Sequence, residues 1–329
     1  MAKKKKQKSI AKELPEVFVE RLEKIVGTNT AVAVENMCVE RPTTFRVNLL
    51  RSTKKEVDTW LKEHHIKTVS VPWYPEAYVL VSVNKRAFTE MDIYTQGKVY
   101  IQSLASMVPP IVLNPQAGET ILDLTAAPGS KTSQIAMMMQ QQGTLIANDM
   151  NKVRFFKLKH NMEHLGVVNE EKEDWHFQLR MEDGAVLSRE YPAYFDKILL
   201  DTPCSAEARF INGDPKTYGY WSEKKIKKLA YEQTKLILAA WSALKPGGTL
   251  VYSTCTFAPE ENEARISKLL ERVGSEAQVE KITMPGLKLL APVSTWKEKT
   301  YHPEVKKTLR IFPTKDIEGF FIAKIKKKV

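Results

Sequence analysis

The stretch "TILDLTAAPGSKTSQIAMMMQQQGTLIAND", residues 120–149, sets the fold class. "TILDL" (120–124) is a short apolar run of the kind buried on both faces of a sheet. "KTSQIAMMMQQ" is helical, Gly143 closes it, and "TLIAND" is a second strand. A strand, helix and strand in direct succession signal a parallel sheet. The alternation continues with a helix in "NKVRFFKLKHNMEHLG" ended by Gly166, and a strand in "WHFQLR". A fourth strand, "FDKILLD" (195–201), precedes a long helix within 222–248. The strand "TLVYSTC" follows, and "EGFFIAKIKKK" supplies a last one. The chain from about residue 96 therefore reads as a doubly wound α/β domain.

In such sheets, ligands bind at the carboxyl ends of the strands, so "LDLTAAPGSKT" is where a nucleotide-like cofactor belongs. A phosphate-cradling loop requires G-x-x-x-x-G-K-[ST]. Aligned on Lys131, that pattern meets Thr125 and Ser130 in place of its glycines. A dinucleotide fingerprint requires G-x-G-x-x-G, and only Gly129 is present. S-adenosylmethionine has no pyrophosphate. It needs a tight turn of small residues and a carboxylate at the end of the next strand for the ribose hydroxyls. Asp149 occupies that strand end, and Asp183 follows the third strand, where a carboxylate could accept from the adenine amino group. Either aspartate could instead cap a helix or a turn. Carboxylates at three successive strand ends, Asp123 included, are harder to dismiss.

The 329 residues, 43% apolar and 27% charged, describe a soluble globular chain with room for two domains. Three widely spaced cysteines (Cys38, Cys204, Cys255) argue against a disulfide framework or four-ligand zinc site and suit a reducing compartment. No CxxC or HExxH pattern is present, so no metal is expected. No apolar run reaches the ~18 residues of a membrane span. "MAKKKKQK" lacks a secretory apolar segment, so a cytoplasmic address is expected. The formal charge of +11 supplies the sequence-independent attraction that nucleic acid requires. A basic tail over 1–12 is followed by a smaller α+β unit over 13–95, with the catalytic unit over 96–329. The smaller unit opens with a helix in "LPEVFVERLEKIVG", a strand in "TTFRVNLL", and a helix capped by Ser52 or Thr53. A strand pair follows in "VSVPWYPEAYVLVSV". Its Phe45, Arg46, Trp73, Tyr74, Tyr78 and Arg86 suit an RNA surface, although the aromatics could equally be core.

"DKILLDTPCSAEARF" places Asp201, Pro203 and Cys204 at the end of the fourth strand, and "VYSTCTFAPEENEA" places Cys255 at the end of the fifth. Free cysteine is usually core filler. Two thiols leaving adjacent strands at the ligand edge suit methylation of a pyrimidine at ring carbon 5. That carbon attacks a methyl sulfonium only after a thiolate has added to carbon 6 and made the ring an enamine. A carboxylic acid near ring nitrogen 3 balances charge. A base then removes the carbon 5 proton, and the thiolate is expelled.

These segments resemble the Sun-type RNA (cytosine-5) methyltransferases. The likeness runs over residues 43–327, through "TTFRVNLL", "ILDLTAAPGSKTSQIA", "DKILLDTPCSAE", "LKPGGTLVYSTCTFAPEENE" and "LRIFPTKDIEGFFIAKIKK". The resemblance implies a Rossmann-like methyltransferase sheet, mostly parallel, of seven strands with the last antiparallel, and an RNA-recognition-like N-terminal subdomain. It implies Cys255 as nucleophile, Cys204 as the thiol assisting product release, and Asp201 against the cytosine ring. S-adenosylmethionine would be held by Thr125, Ala126, Ala127, Pro128, Gly129, Ser130, Lys131, Asp149, Asp183 and Asp201. The substrate would be ribosomal or transfer RNA, and the enzyme a monomer. Two departures stand out: the first turn has Gly129-Ser130 where a glycine pair is usual, and the loop after Cys204 reads "SAEAR" where S-G-x-G is common. An adenine-amino methyltransferase would carry D/N-P-P-aromatic at the fourth strand, which Asp201-Thr202-Pro203-Cys204 is not. An RNA-binding protein without turnover would be favoured by loss of a thiol or of Asp149, and all are present.

Overall fold

The computed structural model describes residues 14–37, 39–211 and 213–329, so the basic tail and Cys38 lie outside the described residues. Helices α1 (Glu16–Val26) and α2 (Thr30–Met37) come first. Strand β1 (Thr44–Val47), helix α3 (Lys54–Glu63), strands β2 (Thr68–Val71) and β3 (Tyr74–Leu80), helices α4 (Lys85–Thr89) and α5 (Asp92–Thr95) and strand β4 (Val99–Ile101) follow. These strands form an antiparallel sheet ordered β2-β3-β1-β4. Because β4 pairs with β1, this sheet runs past residue 95, where the change in sequence character suggested a boundary. Thr53 caps α3 in a reciprocal capping box with Glu56.

The larger sheet is built from β5 (Thr120–Asp123), β6 (Gly143–Asn148), β7 (Trp175–Arg180), β8 (Phe195–Asp201), β9 (Leu244–Thr254), β10 (Ala277–Glu280), β11 (Leu289–Leu290), β14 (Leu309–Ile311) and β15 (Phe320–Lys327). A separate small ribbon pairs β12 (Thr295–Trp296) with β13 (Lys299–Thr300). The order β7-β6-β5-β8-β9-β15 is parallel up to β9, and β15 is antiparallel to β9. β10 and β14 share the outer edge of β15, along Lys324–Lys327 and Phe320–Ile322 respectively. With β10 this is the expected seven-stranded plan; β14 and β11 extend it to nine. The extra strands are two and three residues long, below the length at which alternation is legible.

The two faces are covered by helices, as a parallel sheet demands. One core joins the β5 and β6 side chains to α6 (Leu104–Leu113), α7 (Ser130–Met138) and α8 (Lys152–His164). The other joins them to α9 (Gly184–Glu190), α10 (Glu223–Ala243) and α11 (Glu263–Val273). α6 is almost wholly buried despite containing Pro109 and Pro110.

Two expectations for the N-terminal unit change. First, α1 and α2 do not pack on the smaller sheet. Leu14, Phe18, Leu22 and Met37 share a core with Ala208, Phe210, Phe257 and Phe312 of the larger unit. Arg21 anchors this docking by donating to Glu223 at 2.7 Å and to Glu260 at 2.7 and 3.1 Å. Second, Phe45, Arg46, Tyr74 and Tyr78 are buried and form no RNA surface. Trp73 is half-buried and Arg86 exposed. Arg46 instead ties the small sheet to α7, donating to Gln102 Oε1 at 2.9 Å and to Ser133 Oγ at 2.6 Å.

Candidate active site

β5 lies between β6 and β8, so the direction of strand addition reverses beside it, and the crevice opens at the carboxyl ends of these strands. The turn from Thr125 to Ser130 enters that crevice. Gly129 has φ +104°, and a Cβ there would lie 2.5 Å from Met162 Cε. Ala126 N–H donates to Asn148 O at 2.7 Å, and Ala127 N–H donates to Asp149 Oδ2 at 3.2 Å. Asp149 Oδ1 accepts from Asn151 N–H at 3.0 Å, while Arg154 stands 3.4 Å away. Asn148, unnoticed in the sequence, fastens the neighbouring strand ends: its amide donates to Leu124 O and Glu182 O. Asp183 caps α9, with Ala185 and Val186 N–H both donating to Oδ1. Its other oxygen enters neither bond. Asp123 is buried, donates nothing, and accepts from Thr132 at 2.7 Å through one oxygen; its other oxygen has no partner. Burial pushes its carboxyl up to about 7.

Lys131, the cation of the turn, does not face a phosphate position. It donates to Asp201 Oδ2 at 2.6 Å and to Ser106 Oγ at 2.8 Å. Ser253 Oγ donates to the other Asp201 oxygen at 2.7 Å, and Thr125 Oγ1 donates to the Asp201 carbonyl at 2.9 Å. Lys131 is thus engaged by Asp201 and Ser106. Small residues and an acceptor carboxylate at the end of β6 fit S-adenosylmethionine.

The two thiols meet. Cys204 Sγ and Cys255 Sγ are 3.4 Å apart, with Cys255 8% exposed. The hydrogen bond from Cys204 pulls the Cys255 thiol below its ordinary value against the effect of burial, and the Arg209 charge adds to this. The same bond, with burial, pushes Cys204 well up. Arg209 is 4.0 Å from Glu318, which also accepts from Ser103 at 3.0 Å. Behind the thiols lies a buried network. Ser205 Oγ and Thr256 Oγ1 are 2.7 Å apart, Ser205 also meets Glu261, and Thr256 donates to Glu207 at 2.8 Å. Two hydroxyl hydrogens cannot fill three such contacts, so one carboxyl carries a proton. Burial raises both Glu207 and Glu261, the latter to about 7. Among the described residues, no cluster of His, Cys, Asp or Glu could hold a metal ion, and no helix is long and apolar enough to cross a membrane.

Residues 110–326 match the family model for 16S rRNA methyltransferase RsmB/F, and residues 14–104 match that for the N-terminal domain of 16S rRNA methyltransferase RsmF. The chain belongs to the RsmB/F methyltransferase family. It is 39% identical to the tRNA (cytosine(49)-C(5))-methyltransferase of Pyrococcus abyssi, over 86% of this chain and 87% of that one. It is 32% identical to ribosomal RNA small subunit methyltransferase F of Serratia proteamaculans, over 95% of this chain but only 63% of that one. A methyltransferase homolog from Pyrococcus horikoshii superposes with a TM-score of 0.81 at 29% identity, covering 97% of this chain and 99% of that one. Membership makes this an S-adenosylmethionine-dependent RNA methyltransferase.

Within this methyltransferase, the structure brings together Thr125–Lys131, Asp149, Asp201, Cys204 and Cys255. Asp183 is an exposed helix cap. Sequence reasoning missed Ser106, Asn148, Ser253, Arg209 and Glu207. They are single polar residues whose roles arise only from long-range packing.

Proposed function

We propose that this chain transfers a methyl group to carbon 5 of a cytidine in ribosomal or transfer RNA, through a covalent bond between Cys255 and the base. The observation that carries this reading is the thiol pair 3.4 Å apart, with Cys255 the more acidic member. A lowered thiol supplies more thiolate at neutral pH. Thr125–Lys131 and Asp149 are assigned to the cofactor, with Asp183 toward the adenine amino group. S-adenosylmethionine, when bound, supplies the electrophilic methyl group.

The Cys255 thiolate adds to ring carbon 6, and the enamine so formed makes carbon 5 nucleophilic. Asp201, held by Lys131 and Ser253, is assigned to balancing charge at ring nitrogen 3. After methylation a base takes the carbon 5 proton, the freed electron pair re-forms the 5,6 double bond, and the Cys255 thiolate leaves. Cys204, in contact with Cys255, is assigned to assisting that release. The formal charge of +11 supports an RNA substrate.

Incubation with S-adenosylmethionine and separate ribosomal and transfer RNA fractions, followed by bisulfite sequencing, tests the assignment. Discrete cytidines that resist conversion in one fraction are expected. Methyl incorporation confined to adenine, or none in either fraction, would overturn it.

A further inference from the structure

The "SAEAR" loop is the sequence feature that the reaction leaves unexplained. Where relatives commonly carry S-G-x-G, this chain has Ser205-Ala206-Glu207-Ala208. The loop nonetheless keeps a glycine-like backbone, with Ala206 at φ +56° and ψ +33°. Something must hold it there. Glu207 is 1% exposed and sits between the two cysteine loops. Its Oε2 accepts from Thr256 Oγ1 at 2.8 Å and from Phe257 N–H at 3.0 Å, the two residues after Cys255. Its Oε1 accepts from Trp221 Nε1 at 2.8 Å. The next residue, Ala208, donates its N–H to the Cys255 carbonyl at 3.1 Å. On the other side, Glu261 and Gln233 bracket Cys204: Ser205 N–H donates to Glu261 at 3.0 Å, and Gln233 donates to Pro203 O at 2.9 Å.

We infer that Glu207 is a positioning residue whose carboxylate clamp sets Cys255 against Cys204. It touches neither thiol; it acts through the Thr256 hydroxyl and the Phe257 N–H. This rests on the reading of Cys255 as nucleophile.

The substitutions follow from which oxygen does what. Glu207→Ala removes every bond. Glu207→Gln keeps the two bonds to the Cys255 loop through its carbonyl but turns an NH2 toward the Trp221 N–H. Adding Trp221→Phe removes that conflict. Steady-state methylation should show kcat lowered by ~10- to 100-fold in Glu207→Ala, since small misplacement of a reacting group costs up to ~100-fold. KM for RNA and affinity for S-adenosylmethionine should stay within about twofold of wild type. The Glu207→Gln/Trp221→Phe protein should recover most of kcat. In Glu207→Ala, loss of the Cys204 contact should also move the pH midpoint of Cys255 alkylation up, a readout independent of turnover. Wild-type kcat and an unmoved midpoint in Glu207→Ala would overturn the inference. So would a double variant as slow as Glu207→Ala while fully folded by circular dichroism. Should Cys255→Ala retain turnover, the nucleophile reading fails instead, which separates the two outcomes.

Discussion

Replacing Gly129 by alanine tests whether the first turn is shaped as described. At φ +104° an L-residue is strained, and left-handed backbone costs alanine roughly 1–2 kcal/mol. The new Cβ would lie 2.5 Å from Met162 Cε and 3.0 Å from Leu158 Cδ1. Both neighbours are wholly buried in a packed core, where crowding by one methyl costs about 1–3 kcal/mol. The stiffer unfolded chain returns roughly 0.4–1 kcal/mol. The sum is a destabilisation of about 1–5 kcal/mol. Urea unfolding should show this as a lower midpoint at unchanged slope. A cycle with Met162→Ala separates the two causes, because room for the Cβ relieves crowding but not backbone strain. The pair should couple favourably by about 1–2 kcal/mol. Calorimetry should show weaker S-adenosylmethionine binding. A loss below about 0.5 kcal/mol, typical of a neutral surface change, would refute the reasoning.

Two pH-dependent outcomes follow. The Asp123 carboxyl, raised to about 7 in the fold, binds its proton more tightly there than in the unfolded chain. Its contribution to stability is therefore complete below about pH 4 and is lost as pH rises through about 7. Asp123→Asn should gain on wild type progressively over that window, by at most about 4 kcal/mol, in urea titrations at several pH values; a flat difference contradicts this. For the thiols, iodoacetamide labelling with peptide mapping should give Cys255 a midpoint below the ordinary thiol value of about 8.5 and Cys204 one above it. Equal or inverted midpoints would show that the pair is not polarised in this direction.

The strand ends were legible because buried parallel strands announce themselves as apolar runs, and their last residues then share one edge. Asp149, Asp201, Cys204 and Cys255 could be placed there from sequence for that reason. The N-terminal aromatics were not resolvable, since β1 is buried on both faces and its sequence does not say so. Burial of Arg46 depends on Gln102 and Ser133, residues far away in the chain. The prolines of α6 hid a helix that only its fully buried surroundings make favourable. Glu207 reads as one more surface carboxylate until Trp221, Thr256 and Phe257 converge on it.

The central claim is the covalent role of Cys255, and RNA containing 5-fluorocytidine tests it most directly. Fluorine at carbon 5 cannot leave as a proton does, so the enzyme–base bond should persist after methylation. Wild type incubated with this RNA and S-adenosylmethionine should give a denaturation-stable protein–RNA adduct, and Cys255→Ala should give none and no turnover on natural RNA. Cys204→Ala should accumulate the adduct even with natural RNA. An adduct or normal methylation by Cys255→Ala would contradict the account.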